Sequence, residues 1–164
     1  MPSRLHPSLI VIACIGCFSF GALATAWTAQ YGFDLFPCEL CLYQRLPYIA
    51  LVCLAFLSIM PLVDSEARQL ATYVSALLFF AVACTAFFHV GVEQEWWQTK
   101  CAPVAGRSIS FDDMRSALLK PGRPACNEIQ FSLFGLSMAG YNVIAGLISA
   151  TASLWAARNT KFWH

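Results

Sequence analysis

Charge is what this chain has least of. Only 12% of its residues are Asp, Glu, Lys or Arg, about half the share found in a soluble domain. A surface solvated on every side is therefore not expected. The formal net charge of +1 leaves no basic stripe, so nucleic acid is not an expected partner. Histidine is scarcer still, with three residues, and none stands beside a cysteine pair in the sequence to help hold a metal. In place of charge there is apolar bulk: 59% of residues are hydrophobic and the mean hydropathy is +0.62, the composition of a membrane protein.

Four stretches are long and charge-free enough to cross a bilayer, at 8–31, 46–63, 70–92 and 134–157. At a rise of ~1.5 Å per residue, each approaches or exceeds the length that a ~30 Å hydrocarbon core requires. The first could be a signal peptide, since Arg4 supplies a small basic region and Ala24-Thr25-Ala26 resembles a cleavage site. Its apolar run is longer than such peptides use, so it reads as helix 1. Pro47 is expected in the first turn of the second helix, where proline is tolerated, and Pro61 at its end. In the fourth, Ala145, Ser149 and Ser153 repeat a small residue every four positions, a spacing that lets membrane helices approach closely. The fold class is all-α: a single integral membrane domain over 1–164, built as a four-transmembrane-helix bundle in the lipid bilayer.

Two loops then share one side of the membrane, at 32–45 and 93–133. Within the longer one, Ser110 reads as an N-cap, and Phe111, Met114, Leu118 and Leu119 fall on one helical face before Lys120-Pro121-Gly122. A short amphipathic helix on the membrane surface fits, and so does a helix packed on a partner protein. Trp96 and Trp97 mark where the third span leaves the hydrocarbon. Orientation is not fixed by charge. Arg4, Arg68, Arg158 and Lys161 lie on the terminal side, and Arg45, Lys100, Arg107, Arg115, Lys120 and Arg123 lie on the other.

The eight cysteines sort by location. Cys14, Cys17, Cys53 and Cys84 fall within spans, where a thiol behaves as a small inert hydrophobe. Cys38, Cys41, Cys101 and Cys126 fall in the two loops. Two disulfides suit them, Cys38 with Cys41 and Cys101 with Cys126, although a rearranged Cys38–Cys126 link stays open. Structural staples are one reading. A Cys-x-x-C disulfide restrains little chain, however, and is better suited to redox exchange. Zinc ligation by the four thiolates lacks a second Cys-x-x-C, so no metal is expected.

Cys38-Glu39-Leu40-Cys41 before the second span, Arg45 four residues on, and a long loop with Cys101 and Cys126 resemble the disulfide bond formation protein B (DsbB) family. His89-Val90-Gly91-Val92-Glu93-Gln94 and Leu133-Phe134-Gly135-Leu136-Ser137-Met138-Ala139-Gly140 resemble it too. The likeness covers nearly the whole chain. In the related vitamin K epoxide reductase family, the Cys-x-x-C lies near the start of the last bundle helix instead.

The resemblance implies a bacterial inner-membrane enzyme with cytoplasmic termini and periplasmic cysteine loops, a thiol:quinone oxidoreductase serving a periplasmic thioredoxin-like oxidase of the DsbA type. It implies that the partner attacks Cys101–Cys126, with Cys101 taking the mixed disulfide. Cys126 then attacks Cys38, and Cys41 passes the electrons to a quinone of the membrane pool, ubiquinone or menaquinone. Since a DsbA-type oxidant has a potential of about −120 mV, the final acceptor must be stronger still, as a quinone is and glutathione is not. Arg45 and the dipole of the second helix favour a negative sulfur at Cys41, although Arg45 also suits an interfacial snorkelling role. His89 is the candidate donor to a quinone carbonyl. Glu93 and Glu95 read as interface residues without a catalytic part. Two rivals remain: a relative of the same family with one dedicated partner, and a disulfide-stapled scaffold of the tetraspanin kind.

Overall fold

The computed structural model describes residues 6–97, 99, 101 and 124–163. The expected amphipathic helix around Phe111–Leu119 lies outside them. Four long helices form: α1 (Pro7–Gly32), α2 (Glu39–Ile59), α3 (Ser65–Glu93) and α4 (Met138–Arg158). A short hairpin, β1 (Ser132–Leu133) and β2 (Leu136–Ser137), precedes α4, and a 3₁₀ turn at Thr160–Phe162 follows it. Helix α3 packs against α4 and α2, and α2 packs against α1.

The bundle is apolar on its outside. Phe20, Phe56, Leu70, Leu77, Phe80 and Ile148 are all exposed, and only 22% of the most apolar window of α1 or α2 is buried within the protein. Such surface is stable only against lipid, because each helix satisfies its own backbone hydrogen bonds and presents hydrocarbon outward. Among the described residues, α1, α2 and α3 are long and apolar enough to cross a membrane. The 21-residue α4 is not among them: Gly140, Tyr141, Asn142, Ser149, Thr151 and Ser153 dilute its hydropathy.

Three expectations need correction. Helix α2 begins at Glu39, seven residues before the apolar run, which puts Pro47 inside the helix instead of in its first turn. The polar segment from Glu39 to Arg45 is helical because Cys38 caps it, a signal that hydropathy does not register. Residues Phe134 to Ser137, expected within the fourth span, belong to the hairpin. Phe134 and Gly135 both take positive φ, 51° and 79°, as a two-residue turn between strands requires. The small-residue stripe of α4 is also partly displaced: Ser153 is buried as expected, but Gly146, Ala150 and Ala157 are buried in place of Ala145 and Ser149, which are only half-buried.

Gly146 is where α4 comes closest to α3. A methyl group there would stand 2.9 Å from the Ala83 nitrogen and 3.0 Å from the Phe79 carbonyl oxygen. Around this crossing Ile15, Leu23, Tyr48, Leu51, Phe79, Val82 and Ala150, drawn from all four helices, form the main core. Helix ends are closed by side chains: Arg68 Nε donates to the Ser58 carbonyl at 3.0 Å, and Gln69 Nε2 to the Ala157 carbonyl at 2.8 Å. Cys14, Cys17, Cys53 and Cys84 all lie on the exposed outer faces. Gly146→Val should therefore lower stability by about 1–3 kcal/mol through overpacking. Gly21→Ala, whose methyl meets nothing within 4 Å, should be neutral or gain up to about 1 kcal/mol. Unfolding midpoints in detergent check both.

Candidate active site

The site is built on the first turn of α2. Cys38 is the N-cap residue, with φ −69° and ψ 174°, and its Sγ accepts the backbone N–H of Cys41 at 3.3 Å. A thiol thus stands where Ser or Asp usually caps a helix. The Cys-x-x-C spacing brings the two free sulfurs to 3.0 Å.

Across the bundle, His89 on α3 points its Nε2 at Cys38 Sγ, 3.5 Å away. Its Nδ1 lies 2.9 Å from Gln44 Nε2, and Asn142 on α4 donates from Nδ2 to Gln44 Oε1 at 2.7 Å. Tyr48 OH donates to Asn142 Oδ1 at 3.4 Å. One turn beyond His89, Glu93 Oε1 is 3.8 Å from Nε2, and the other oxygen of Glu93 accepts from Ser137 Oγ. The Cys41 thiol, then the His89 ring and the Cys41 N–H, hold the Cys38 thiol well below its ordinary range, against a burial that pushes it up. The sulfur that meets the helix N-terminus is therefore Cys38, and Cys41 follows one turn in.

Arg45 reaches to α1, donating to Gln30 Oε1 at 2.6 Å and to the Ala26 carbonyl at 3.3 Å. Cys38, Cys41, Arg45 and His89 all line one cavity of about 440 Å³. Its remaining wall is largely apolar, with Leu23, Leu35, Phe36 and Met138 beside Gln44 and Asn142. A cavity of this size and lining suits a flat, mostly apolar ligand bearing a few acceptors.

Cys101 and Cys126 are joined in a disulfide with Cα atoms 5.5 Å apart. The Cys126 N–H donates to the Cys101 carbonyl at 3.0 Å. Cys126 is fully buried and clusters with Cys38 and Val92, with Cys41, Trp97 and Cys101 packed around them. Trp97 is half-buried at the end of α3: its indole N–H donates to the Phe88 carbonyl at 2.9 Å, and its ring lies against Gly91, leaving no room for a side chain there. Trp96 stays exposed.

All six expected residues thus gather at one end of the bundle, four on the cavity wall and Cys126 against Cys38, with Cys101 bonded to it. Gln44, Asn142 and Tyr48 were not anticipated, nor was the approach of Glu93 to His89. Gln44 and Asn142 did leave a trace, as polar amides at the edge of apolar runs. Such groups require a buried partner.

The family model described as "Disulfide bond formation protein DsbB" matches residues 8–156. The chain is 29% identical over 132 residues to "Disulfide bond formation protein B" of Haemophilus influenzae (strain 86-028NP), covering 77% of this chain and 74% of that one. It is 27% identical over 170 residues to the protein of the same name in Hahella chejuensis, covering 96% and 99%. A third relative, from Rickettsia prowazekii, is 25% identical over 133 residues, covering 77% and 74%, and bears the name "Uncharacterized protein RP370". No solved structure matches.

The Gln44–Asn142 bond is buried between helices, so Gln44→Leu and Asn142→Leu should each cost about 1–3 kcal/mol by leaving a partner unpaired. The double variant should cost less than the sum, with a coupling of at least about 0.5 kcal/mol. A double-mutant cycle of unfolding in mixed micelles measures it.

Proposed function

Because the chain belongs to the disulfide bond formation protein DsbB family, we propose that it is a membrane thiol:quinone oxidoreductase that reoxidises a periplasmic thioredoxin-like dithiol oxidase of the DsbA type. One observation supports this most directly: Cys126 of the loop disulfide shares a buried cluster with Cys38, whose partner Cys41 lines the cavity with Arg45 and His89. In this reading, α4 completes a four-span bundle in the bacterial inner membrane, with both termini cytoplasmic and both cysteine loops periplasmic.

The partner's thiolate attacks Cys101, breaking the Cys101–Cys126 bond and forming a mixed disulfide. The partner's second thiol resolves it and leaves oxidised. Cys126 attacks Cys38 of a Cys38–Cys41 disulfide, so that Cys41 departs as a thiolate, and Cys101 closes the loop disulfide again. Each exchange moves two electrons one disulfide inward, and each needs a thiolate aimed at a sulfur. Contact within a single cluster supplies that aim.

A quinone, ubiquinone or menaquinone, would supply a two-electron acceptor when bound. The cavity fits it in volume and in the chemistry of its wall. Arg45 has donors left beyond its two bonds to α1, and the guanidinium keeps its charge at any working pH. His89 is the second donor and, with Glu93, stands where a proton is needed.

Purified protein with a reduced DsbA-type donor should bleach quinone absorbance. Cys38→Ser and Cys41→Ser should each lose at least about a thousand-fold in rate. Cys101→Ser should block the protein donor while still allowing dithiothreitol to reduce Cys38–Cys41. A stapled scaffold would instead show no quinone loss, with Cys38 and Cys41 beyond the donor's reach. Arg45→Met should raise the KM for quinone by about ten-fold or more, the loss of one hydrogen bond from a charged group, with Arg45→Lys between the two. Steady-state kinetics in detergent separate them.

A further inference from the structure

The expectation of no metal rested on the lack of a histidine beside the cysteine pairs, and the fold brings one there. Cys38 Sγ, Cys41 Sγ and His89 Nε2 lie within 4.8 Å of one another. We propose that the reduced Cys38–Cys41 pair and His89 form a capture site for a thiophilic divalent cation of the zinc class, offered only by the reduced protein, and that filling it halts thiol oxidation. The halt rests on the function proposed above; the binding does not.

The geometry is close to what such a cation needs. Zinc bonds of about 2.3 Å to sulfur and about 2.0–2.1 Å to nitrogen place tetrahedral ligands roughly 3.5–3.8 Å apart. The Cys38–His89 separation of 3.5 Å already satisfies this. The two sulfurs, at 3.0 Å, need to part by roughly 0.7 Å on the same bond lengths, which a side-chain rotation supplies. Two intervening residues, as in Cys38-Glu39-Leu40-Cys41, are the spacing that many tetrahedral sites use. For the fourth position, Glu93 Oε1 stands 3.8 Å from Nε2, and the cavity gives water access.

Support behind the ligands is also present. A histidine that binds a cation through Nε2 holds its proton on Nδ1 and donates it to an acceptor. Gln44 faces Nδ1, and turning its carboxamide presents Oε1 as that acceptor. Asn142 turns with it, offering its oxygen to the Gln44 amide and its nitrogen to the Tyr48 hydroxyl. Two thiolates neutralise the double charge, which an apolar surrounding demands.

The binding step moves no electrons. Two thiols and one divalent cation give a dithiolate complex and release two protons. A Cys38–Cys41 disulfide has no thiolate to give, and this is the basis of redox selectivity. The loop cysteines are not ligands, since they are bonded to each other.

The test uses the full chain in detergent with Cys101→Ala and Cys126→Ala, so that only one redox pair remains. Titration of the reduced protein with Co²⁺ should show one equivalent bound, with thiolate-to-cobalt absorption that Zn²⁺ removes. The oxidised protein should show none. X-ray absorption of the zinc form should give two sulfur neighbours with nitrogen or oxygen completing the shell. His89→Ala should weaken zinc at least about ten-fold with both thiols still titratable. In the otherwise unmodified chain, saturating zinc should stop dithiothreitol-driven quinone loss. No stoichiometric band, equal binding after oxidation, a shell without two sulfurs, unchanged affinity in His89→Ala, or turnover that persists with zinc bound would each overturn the proposal. Failure of the function itself is seen separately, as absent turnover in cation-free protein.

Discussion

The hydrogen bond between Gln44 and His89 is the constraint that the rest of this site depends on. It joins α2 to α3 deep in an apolar bundle, and Asn142 extends it to α4. In such surroundings an amide or imidazole without a partner costs several times what the paired one contributes. The three side chains therefore fix the rotation of three helices about their axes. Turning α2 or α3 by one residue would strand two polar groups in hydrocarbon. That rotation is what aims His89 Nε2 at Cys38, and it makes the surroundings of that sulfur a by-product of bundle assembly.

The remaining packing is arranged to allow this. Gly146 lets α4 approach the backbone of α3, which brings Asn142, one turn earlier, within reach of Gln44. With lipid outside and no hydrophobic gain in bringing helices together, close backbone contact and polar bonds hold such a bundle. At the thiol end, Trp97 folds back over Gly91 and joins the cluster of Cys38, Cys126 and Val92. The end of α3 and the loop disulfide are thereby packed together.

The helices that cross hydrocarbon were legible because a long charge-free run has few alternatives, and Cys38 and Cys41 because a Cys-x-x-C spacing is rarely idle; Cys101 and Cys126 stood out as the remaining cysteines outside the spans. What was not legible follows from local chemistry that hydropathy ignores. Helix α2 starts at Glu39 because a thiol, not a hydroxyl, caps it, and a search for Ser, Thr, Asp or Asn passes over Cys38. Two positions of the α4 stripe were misplaced by one residue because Ala145 and Ser149 fit the four-residue repeat with Ser153 as well as Gly146 and Ala150 fit their own. Only the partner helix decides between them. Gln44 and Asn142 lie 98 residues apart in the chain, and nothing local to either announces the other. Burial brings them into one bond, so the support for His89 emerged only from the fold.

The same geometry bears on which sulfur of the pair holds charge. A helix dipole and Arg45 favour a negative sulfur at Cys41; Arg45 also makes two bonds to α1, while the capping N–H, the second thiol and the imidazole converge on Cys38. For a dithiol and its disulfide, whatever stabilises the reduced form makes the pair a stronger oxidant; DsbA, at about −120 mV, is the known case. Three contacts on the Cys38 sulfur act in that direction. Both sulfurs line the cavity, but the contacts that favour a thiolate fall on Cys38. The two cysteines of the motif then differ in task because a capping position and a first-turn position differ in environment. That asymmetry is a property of the helix start, and it requires no residue beyond those already holding the bundle together.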